Sequence, residues 1–408
     1  MKTKTNWQNL QLQDIGSIVA GGTPSTKNPN NFGGDVAWIT PADLTGYTDK
    51  YISKGKRNLS KTGLKNSSAI LLPKGSVLCS SRAPIGYVVI AENEIATNQG
   101  FKNIVPNTKI VNSEYLYYFL KGNKDLITSF ASGTTFLEVS AKRFSAIPIP
   151  VPPLAEQKRI VWKIEELFGV IDRDIQRLTD TLEQLSQFRQ SVLEKILNSH
   201  IPNSTLGELL QPRRERIIPS LKNQEMPYVG LDSIEPGALT LSKIETLQQT
   251  KSSCFLFCKD DVLYGRMRSY LNKVFKADFK GAASAEFIVF PKSEKILPDY
   301  LKYLLHQHRF VVFATKNSSG DRPRVKFEED LAPFHFYLPT LPEQQKIVDE
   351  IEKAFRSTDK VQKAVQNALE EAKKLKQSIL KKAFAGELIP QDPNDKPVNL
   401  PVLKGQTK

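Results

Sequence analysis

Sulfur and imidazole are scarce in this chain of 408 residues, which has three cysteines (Cys79, Cys254 and Cys258) and four histidines. Three thiols are too few for a disulfide framework or a four-ligand zinc site. Cys254 and Cys258 flank Phe-Leu-Phe, a run that reads as buried strand with ordinary core thiols. His306 and His308 fall on a short helical segment expected at the surface, and neither they nor His200 and His335 have metal-ligand company. No apolar leader opens the sequence, and no apolar run approaches the roughly 18 residues that span a bilayer. Together with the few thiols, this points to a reducing cytoplasm. Catalytic signatures are missing too: there is no GxxxxGK[ST] phosphate loop, no GxGxxG and no HExxH. The Asn/Asp-Pro-Pro-aromatic tetrapeptide of an amino-methyltransferase is absent. Pro298-Asp299 could begin a nuclease site, but the Glu371-x-Lys373 it would need lies on a long helical segment. The expectation is a chain that is not an enzyme, with no catalytic residue, metal or cofactor of its own.

What the sequence does have is a repeat. The stretch from Pro152 to Leu197, beginning PPLAEQKRIVWKIEELF, returns from Leu341 as LPEQQKIVDEIEKAF. Glu156 matches Glu343, Gln157 matches Gln344, and Val161, Phe168 and Ser191 match Val348, Phe355 and Ser378, all 187 residues apart. A repeat of that length means two similar halves, not a solenoid.

Each copy is patterned as a long helix. Ile160, Ile164, Leu167, Ile171, Ile175, Leu178, Leu182 and Leu185 step by three and four, as do Ile347, Ile351, Phe355, Thr358, Val361 and Val365 in the second copy. A narrow stripe sustained for about five heptads is a coiled-coil seam. Thr340 and Glu343 have capping-box spacing, Pro342 suits a first turn, and Gly386 suits a stop. Roughly 40 residues at 1.5 Å each make a rod of about 60 Å. Either the two helices pair antiparallel and hold two domains apart, or each belongs to a bundle of its own. The first reading gives globular domains at 1–151 and 199–339, spacer helices at 152–198 and 340–388, and a tail at 389–408.

The net charge of +14 is unevenly spread: residues 1–150 carry 17 basic and 9 acidic side chains, and residues 199–335 carry 20 and 16. The first long helix, with 7 and 8, is almost neutral. Basic domains joined by a neutral rod suggest that the domains, not the rod, meet a polyanion.

The two domains share segments. Leu206-Gly-Glu-Leu-Leu answers Leu12-Gln-Asp-Ile-Gly, Asp261-Val-Leu-Tyr answers Ser76-Val-Leu-Cys, and the helical Tyr300-Leu-Lys-Tyr-Leu-Leu answers Tyr115-Leu-Tyr-Tyr-Phe-Leu, whose aromatics suit a core. The loops between them do not match: GGTPST (21–26) faces Pro212-Arg-Arg-Glu-Arg, and SGTTFLEVS (132–140) faces SSGDRPRVK (318–326). One scaffold with two sets of loops suits a protein that reads two different things. The fold class expected is α+β, two similar target-reading domains joined by two long antiparallel helices.

The variable loops are rich in side chains that read bases or hold phosphates. In the first domain these are Thr23, Ser25, Lys27, Arg82, Asn98, Gln99, Lys102, Thr134 and Thr135. In the second they are Arg213, Arg214, Arg216, Arg266, Arg268, Arg322, Arg324 and Lys326. Solvated surface charge or turn chemistry competes with the binding role at each position taken alone. The clusters Arg213/Arg214/Arg216 and Arg322/Arg324/Lys326 are stronger as groups, because like charges repel unless an anion joins them.

The approach PPLxEQxxIV (Pro152 to Val161, with Leu341 to Val348 as its partner) resembles the conserved helix of type I restriction–modification specificity subunits. So do GGTPS (21–25) ahead of Val-Ala-Trp-Ile (36–39), ATNQGF (96–101) and FAGEL (384–388). The resemblance covers almost the whole chain, though the second domain departs from the GGTP and TNQGF patterns.

Such a subunit holds two domains, each reading half of a bipartite double-stranded DNA sequence, with the helices as a ruler between them. The resemblance implies two modification (methyltransferase) subunits docked on the helices and domains, with Glu156, Gln157, Glu343 and Gln344 as docking positions. The resemblance extends to restriction (endonuclease) subunits as a further partner in some such systems, and S-adenosylmethionine, Mg and ATP would sit on these partners. A rod near 60 Å suits half-sites about one helical turn apart. Two other readings stay open on the residues alone: a stand-alone bipartite DNA-binding regulator, and a coiled-coil scaffold with no nucleic-acid role.

Overall fold

The computed structural model describes residues 6–82, 84–133 and 137–399. Its contacts divide the chain into two units, residues 1–176 with 369–408, and residues 177–368.

In the first unit the strand Gln8–Gln11 pairs antiparallel with Pro148–Val151, so the chain arrives and leaves side by side. Between them lies a five-stranded sheet in the order Gly16–Ala20, Phe101–Pro106, Val77–Ser80, Val88–Ala91, Tyr51–Ile52, antiparallel except for its last pair. The helix Ser113–Gly122 starts where the Asn112 side chain accepts from the Glu114 and Tyr115 amides. All six residues from Tyr115 to Leu120 are buried, because this helix is covered on more than one side. Its aromatics meet those of the long helices edge to face, Tyr118 on Phe168 at 6.0 Å and Tyr115 and Phe119 on Phe384 at 5.3 Å. Each such ring contributes roughly 1.5–3 kcal/mol by burial, so the aromatic interleaving is core packing.

The second unit repeats this plan. Ser204–Thr205 pairs antiparallel with His335–Phe336. The strands Val274–Lys276, Val262–Gly265 and Phe287–Phe290 form an antiparallel trio like the middle of the first unit's sheet. A separate five-stranded sheet runs Arg216–Ile217, Cys254–Phe257, Gly281–Ala283, Pro227–Val229, Glu245–Thr246. Among the described residues, no strand lies outside Phe287–Phe290 where Gly16–Ala20 lies in the first unit. Pro212 has no amide to give there, and only the Arg213 amide reaches the Val289 carbonyl, at 2.7 Å.

The long helices run Leu154–Leu197 and Leu341–Ala385, and they pack together in both units. In the first, Ile160, Ile164 and Ile171 share a core with Ile379, Leu380 and Ala383, and Lys376 pairs with Asp172. In the second, Leu193 and Leu197 share a core with Val348, Ile351 and Phe355. There Arg189 donates to Thr358 Oγ1 at 2.8 Å and pairs with Asp359. The start of each helix meets the end of the other, so the pair is antiparallel. The tail returns to the first unit, where the Asn6 and Gln8 side chains donate to the Asp395 and Val398 carbonyls at 3.1 Å.

His306 departs from expectation. It is buried, not on a surface face, because Asn272 and Gln190 close over the last turn of the helix Pro298–His306 and donate to its carbonyl. Cys79 and Cys254 are buried and Cys258 half-buried, all as free thiols. Burial pushes the Cys79 thiol up to about 12.

Candidate nucleic-acid interface

In the first unit the loops singled out by composition come together. The Gly21 amide donates to the Phe101 carbonyl at 3.4 Å, the Gly22 amide to the Thr97 carbonyl at 2.8 Å, and Trp38 Nε1 to the Gly22 carbonyl at 3.2 Å. A side chain has no room at either glycine, since a Cβ would lie 1.9 Å from the Asn98 carbonyl at Gly21 and 2.2 Å from the Ala69 amide at Gly22. The glycine pair therefore lets the GGTPS and ATNQGF stretches lie against each other. Thr23 Oγ1 donates to Gln99 Oε1 across that seam. Gln99, Ser25 and Lys27 are exposed beside it. Asn98 is a turn-former, its Oδ1 accepting from the Gly100 amide at 2.9 Å.

A third loop is tied on through Ser81. Its amide donates to the Gly100 carbonyl at 2.7 Å, and its carbonyl accepts from the Val139 amide at 2.9 Å. Arg82 Nε meets Glu138 at 2.9 Å, and Lys102 Nζ meets Glu138 at 3.4 Å and Ser81 Oγ at 3.3 Å. Partial burial works to raise the Glu138 carboxyl, but hydrogen bonds and charge from Arg82 and Lys102 outweigh it and hold the group below the usual carboxylate range. The Lys102 side chain is 8% exposed. Its ammonium neutralises Glu138 from inside and is not at the surface where a phosphate could meet it, contrary to the sequence reading. Thr134 and Thr135 lie outside the described residues.

The second unit reproduces the backbone of that junction with other side chains. Arg266 stands where Ser81 stands: its amide donates to the Glu286 carbonyl at 2.8 Å, and its carbonyl accepts from the Val325 amide at 3.0 Å. Met267 bridges Arg324 as Arg82 bridges Glu138. Ser284 Oγ accepts from the Glu286 amide at 3.3 Å, as Asn98 does from Gly100. The ion pair there is reversed in origin: Arg324 donates twice to Glu286, at 2.7 and 2.9 Å.

The arginine clusters are largely answered from within. Arg213 holds Asp261, 1% exposed, through two bonds of 3.0 and 3.2 Å. Arg214 meets Glu328 at 3.0 Å, Arg216 stacks 4.5 Å over Phe255, and Lys326 meets Glu329 at 2.7 Å. Repulsion within the clusters is thus relieved by carboxylates of the same chain, and no external anion is required, as the sequence reading had supposed. Arg213 is a structural cation. Arg214, Arg216, Arg268, Arg322 and Lys326 remain exposed, and exposed pairs of this kind bind by only about 0–1 kcal/mol, so they yield easily to a polyanion. Arg213, Arg214, Arg216, Arg266 and Lys326 line one cleft of about 390 Å3 floored by Phe287, Val289 and Val325. Arg268 sits nearby with φ of 55°, its amide donating to the Pro323 carbonyl at 2.8 Å.

The positions read as docking residues do other work. Gln157 is buried; its Oε1 accepts from the Asn112 amide at 2.8 Å, and its Nε2 donates to the Ile110 and Pro152 carbonyls at 2.9 and 2.8 Å. Gln344 does the same to the Leu297 amide and the Lys295 and Pro339 carbonyls, at 2.8, 3.1 and 3.0 Å. Glu156 is buried and accepts from Trp7 Nε1 at 2.9 Å. Three of the four thus have no surface to offer a partner. Glu343 is exposed and accepts from the Thr340 amide and hydroxyl at 2.9 and 2.8 Å, which caps the second long helix and holds its carboxyl low. Sequence reasoning missed the acids Glu138, Asp261 and Glu286, whose partners are set by strand register and not by nearness in sequence.

Among the described residues, no group of three or more His, Cys, Asp or Glu side chains could hold a metal ion. No helix among them is long and apolar enough to cross a membrane.

Comparison with known proteins adds to this geometry. The family described as type I restriction modification DNA specificity domain matches twice, at residues 4–184 and 199–371. The chain is 29% identical over 420 residues to the type I restriction enzyme MjaIX specificity subunit of Methanocaldococcus jannaschii, covering 95% of this chain and 94% of the relative. It is 25% identical over 323 residues to the EcoKI specificity subunit of Escherichia coli K12, covering 71% and 69%. A solved chain from work on complex assembly and conformational transition of the type I R-M system shares the fold with a TM-score of 0.67 at 20% identity, covering 95% of this chain and 100% of that one.

Proposed function

This chain belongs to the type I restriction modification DNA specificity family, and from that premise we propose that it selects a bipartite double-stranded DNA sequence for methylation, each unit reading one half. The observation that carries this reading is the shared junction. One backbone arrangement at Ser81 and at Arg266 is furnished with different side chains, which suits two readers built alike for unlike half-sites. We take the reading domains as 1–151 and 199–339, the helices as the ruler between half-sites, and 389–408 as a tail. In the first domain the exposed Ser25, Lys27 and Gln99, with Thr23 beside them, are the candidate DNA contacts, and Thr134 and Thr135 are candidates on their sequence alone. In the second they are Arg214, Arg216, Arg266, Arg268, Arg322 and Lys326.

In this reading the chain is a non-catalytic subunit of the cytoplasm and carries no cofactor. Two modification subunits bring S-adenosylmethionine and the methylating site, and restriction subunits with Mg and ATP join the same complex. Glu343, with the exposed start of its helix, is the docking position that remains accessible. The test maps methylated adenine across the genome of a host carrying this chain and its neighbouring methyltransferase, with and without the chain. A bipartite motif that appears only with the chain is the expected result. No motif, despite a folded complex, would favour the stand-alone regulator.

A further inference from the structure

Every cation lining the second unit's cleft except one has a partner within the chain. Arg213 has Asp261, Arg214 has Glu328, Arg216 has the Phe255 ring and Lys326 has Glu329. Arg266 has no hydrogen-bonded or ion-paired side-chain partner among the described residues, and its guanidinium touches Glu286 only through the field of its charge. Its Nε is closed off from solvent and meets no acceptor, although burying an unpaired donor costs on the order of 1–3 kcal/mol. The backbone on both sides of it is fixed, by Glu286 and by Val325. The acid nearest in role, Glu286, is taken by Arg324 through two bonds.

We propose that Arg266 is a specificity-determining residue that reads the major-groove edge of one guanine in the half-site bound by the second unit. This rests on the DNA-reading function proposed above. The backbone of Arg266 is fixed at both its amide and its carbonyl at the lining of the cleft, and the two terminal nitrogens of its planar guanidinium match the paired N7 and O6 acceptors of guanine. Phosphates need only exposed, flexible charge, which Arg214 and Lys326 already supply at the rim. Arg324 and Glu286 act as positioning residues, since their pair denies Arg266 an internal acceptor. The first unit cannot make this contact in the same place. Ser81 holds that position, and the cation beside it, Lys102, comes from the neighbouring strand and is spent on Glu138. Ile288 stands in the second unit at the strand position matching Lys102. The two units therefore differ in chemistry where their backbones agree.

The experiment compares the methylated motif of the full complex carrying the wild-type chain, Arg266→Gln and Arg266→Lys. The wild-type motif should contain a guanine whose position relaxes in both variants, with discrimination there falling about tenfold or more, while the other half-site and the spacer stay unchanged. A second arm needs no variant: in the wild-type complex, 7-deazaguanine placed at each guanine of the target in turn should weaken binding about tenfold at one of them. The proposal is overturned if the motif is unchanged in both variants. It is also overturned if methylation falls alike at all sites with Arg266→Gln and returns with Arg266→Lys, which marks a phosphate contact, or if every 7-deazaguanine target binds like the unmodified one. A wild-type chain that yields no motif refutes the DNA-reading function instead.

Discussion

Gln157 and Gln344, 187 residues apart, each tie the start of a long helix to its own unit through three hydrogen bonds of matching pattern. Both side chains are fully buried, and each spans the same places: the segment before a core helix, the residue preceding that helix's first turn, and the turn that begins the long helix. The glutamine is therefore kept by geometry at both ends of the repeat.

Gln344→Leu should leave the Leu297 amide and two carbonyls unpaired inside the second unit. At roughly 1 kcal/mol or more for each group, the loss is about 2–4 kcal/mol. Hydrogen exchange of the Leu297 amide should speed up accordingly, while the Asn112 amide in the first unit stays protected. Unchanged protection at Leu297 would show that the staple contributes little.

Arg213 and Arg214 are neighbours in sequence with opposite expectations. Arg213→Ala leaves the buried Asp261 carboxylate with only the Cys258 and Lys292 amides as donors and should cost up to about 3 kcal/mol in a denaturant titration. Arg214→Ala should change stability by less than about 0.5 kcal/mol and lower the slope of log affinity against log salt by about one for target DNA. Equal stability of the two variants would refute the assignment.

His306 carries a pH dependence. Burial first, then the charges of Arg189 and Lys302, lowers its imidazole to about 3, against roughly 6.5 in an unfolded chain. The unfolded chain therefore binds the extra proton first. The stabilising contribution is complete above about pH 6.5 and declines as pH falls toward 3, by up to about 1.4 kcal/mol per pH unit. His306→Gln should flatten this part of the stability profile between pH 4 and 6.5. A wild-type profile that is already flat there would sink the claim.

Gly22→Ala forces a Cβ against the Ala69 amide, and should spread the seam between the GGTPS and ATNQGF stretches. Methylome mapping with this variant should show the first unit's half-site degraded and the second unit's half-site intact. Loss of both halves together would point to a wider collapse of the chain.

Much of this was legible in the sequence. The long helices declared themselves because their apolar stripe repeats and because Glu156-Gln157 returns as Glu343-Gln344. The helix that holds Tyr115-Leu-Tyr-Tyr-Phe-Leu was legible too, with its aromatics in the core. Loop composition singles out Thr23, Gln99 and the arginines as candidates, but not which cations are already matched. Arg324 and Glu286 lie 38 residues apart and meet only through strand register. His306 was misplaced because helical periodicity identifies one buried face and gives no sign that the far end of the helix is closed over as well.

The first unit is assembled from two segments far apart in sequence, and that sets the order in which it can be finished. Ile379, Leu380, Ala383 and Phe384 belong to the core that surrounds Tyr115 and Ile164, whereas the second unit is continuous from 177 to 368. On the ribosome residues up to 176 emerge well before residues 369–385, which cover their apolar surface, a delay on the order of ten to forty seconds. A message cut short after residue 368 would release a chain whose later half is complete and whose earlier half is not. The surveillance machinery of the cell would meet such a fragment at its beginning.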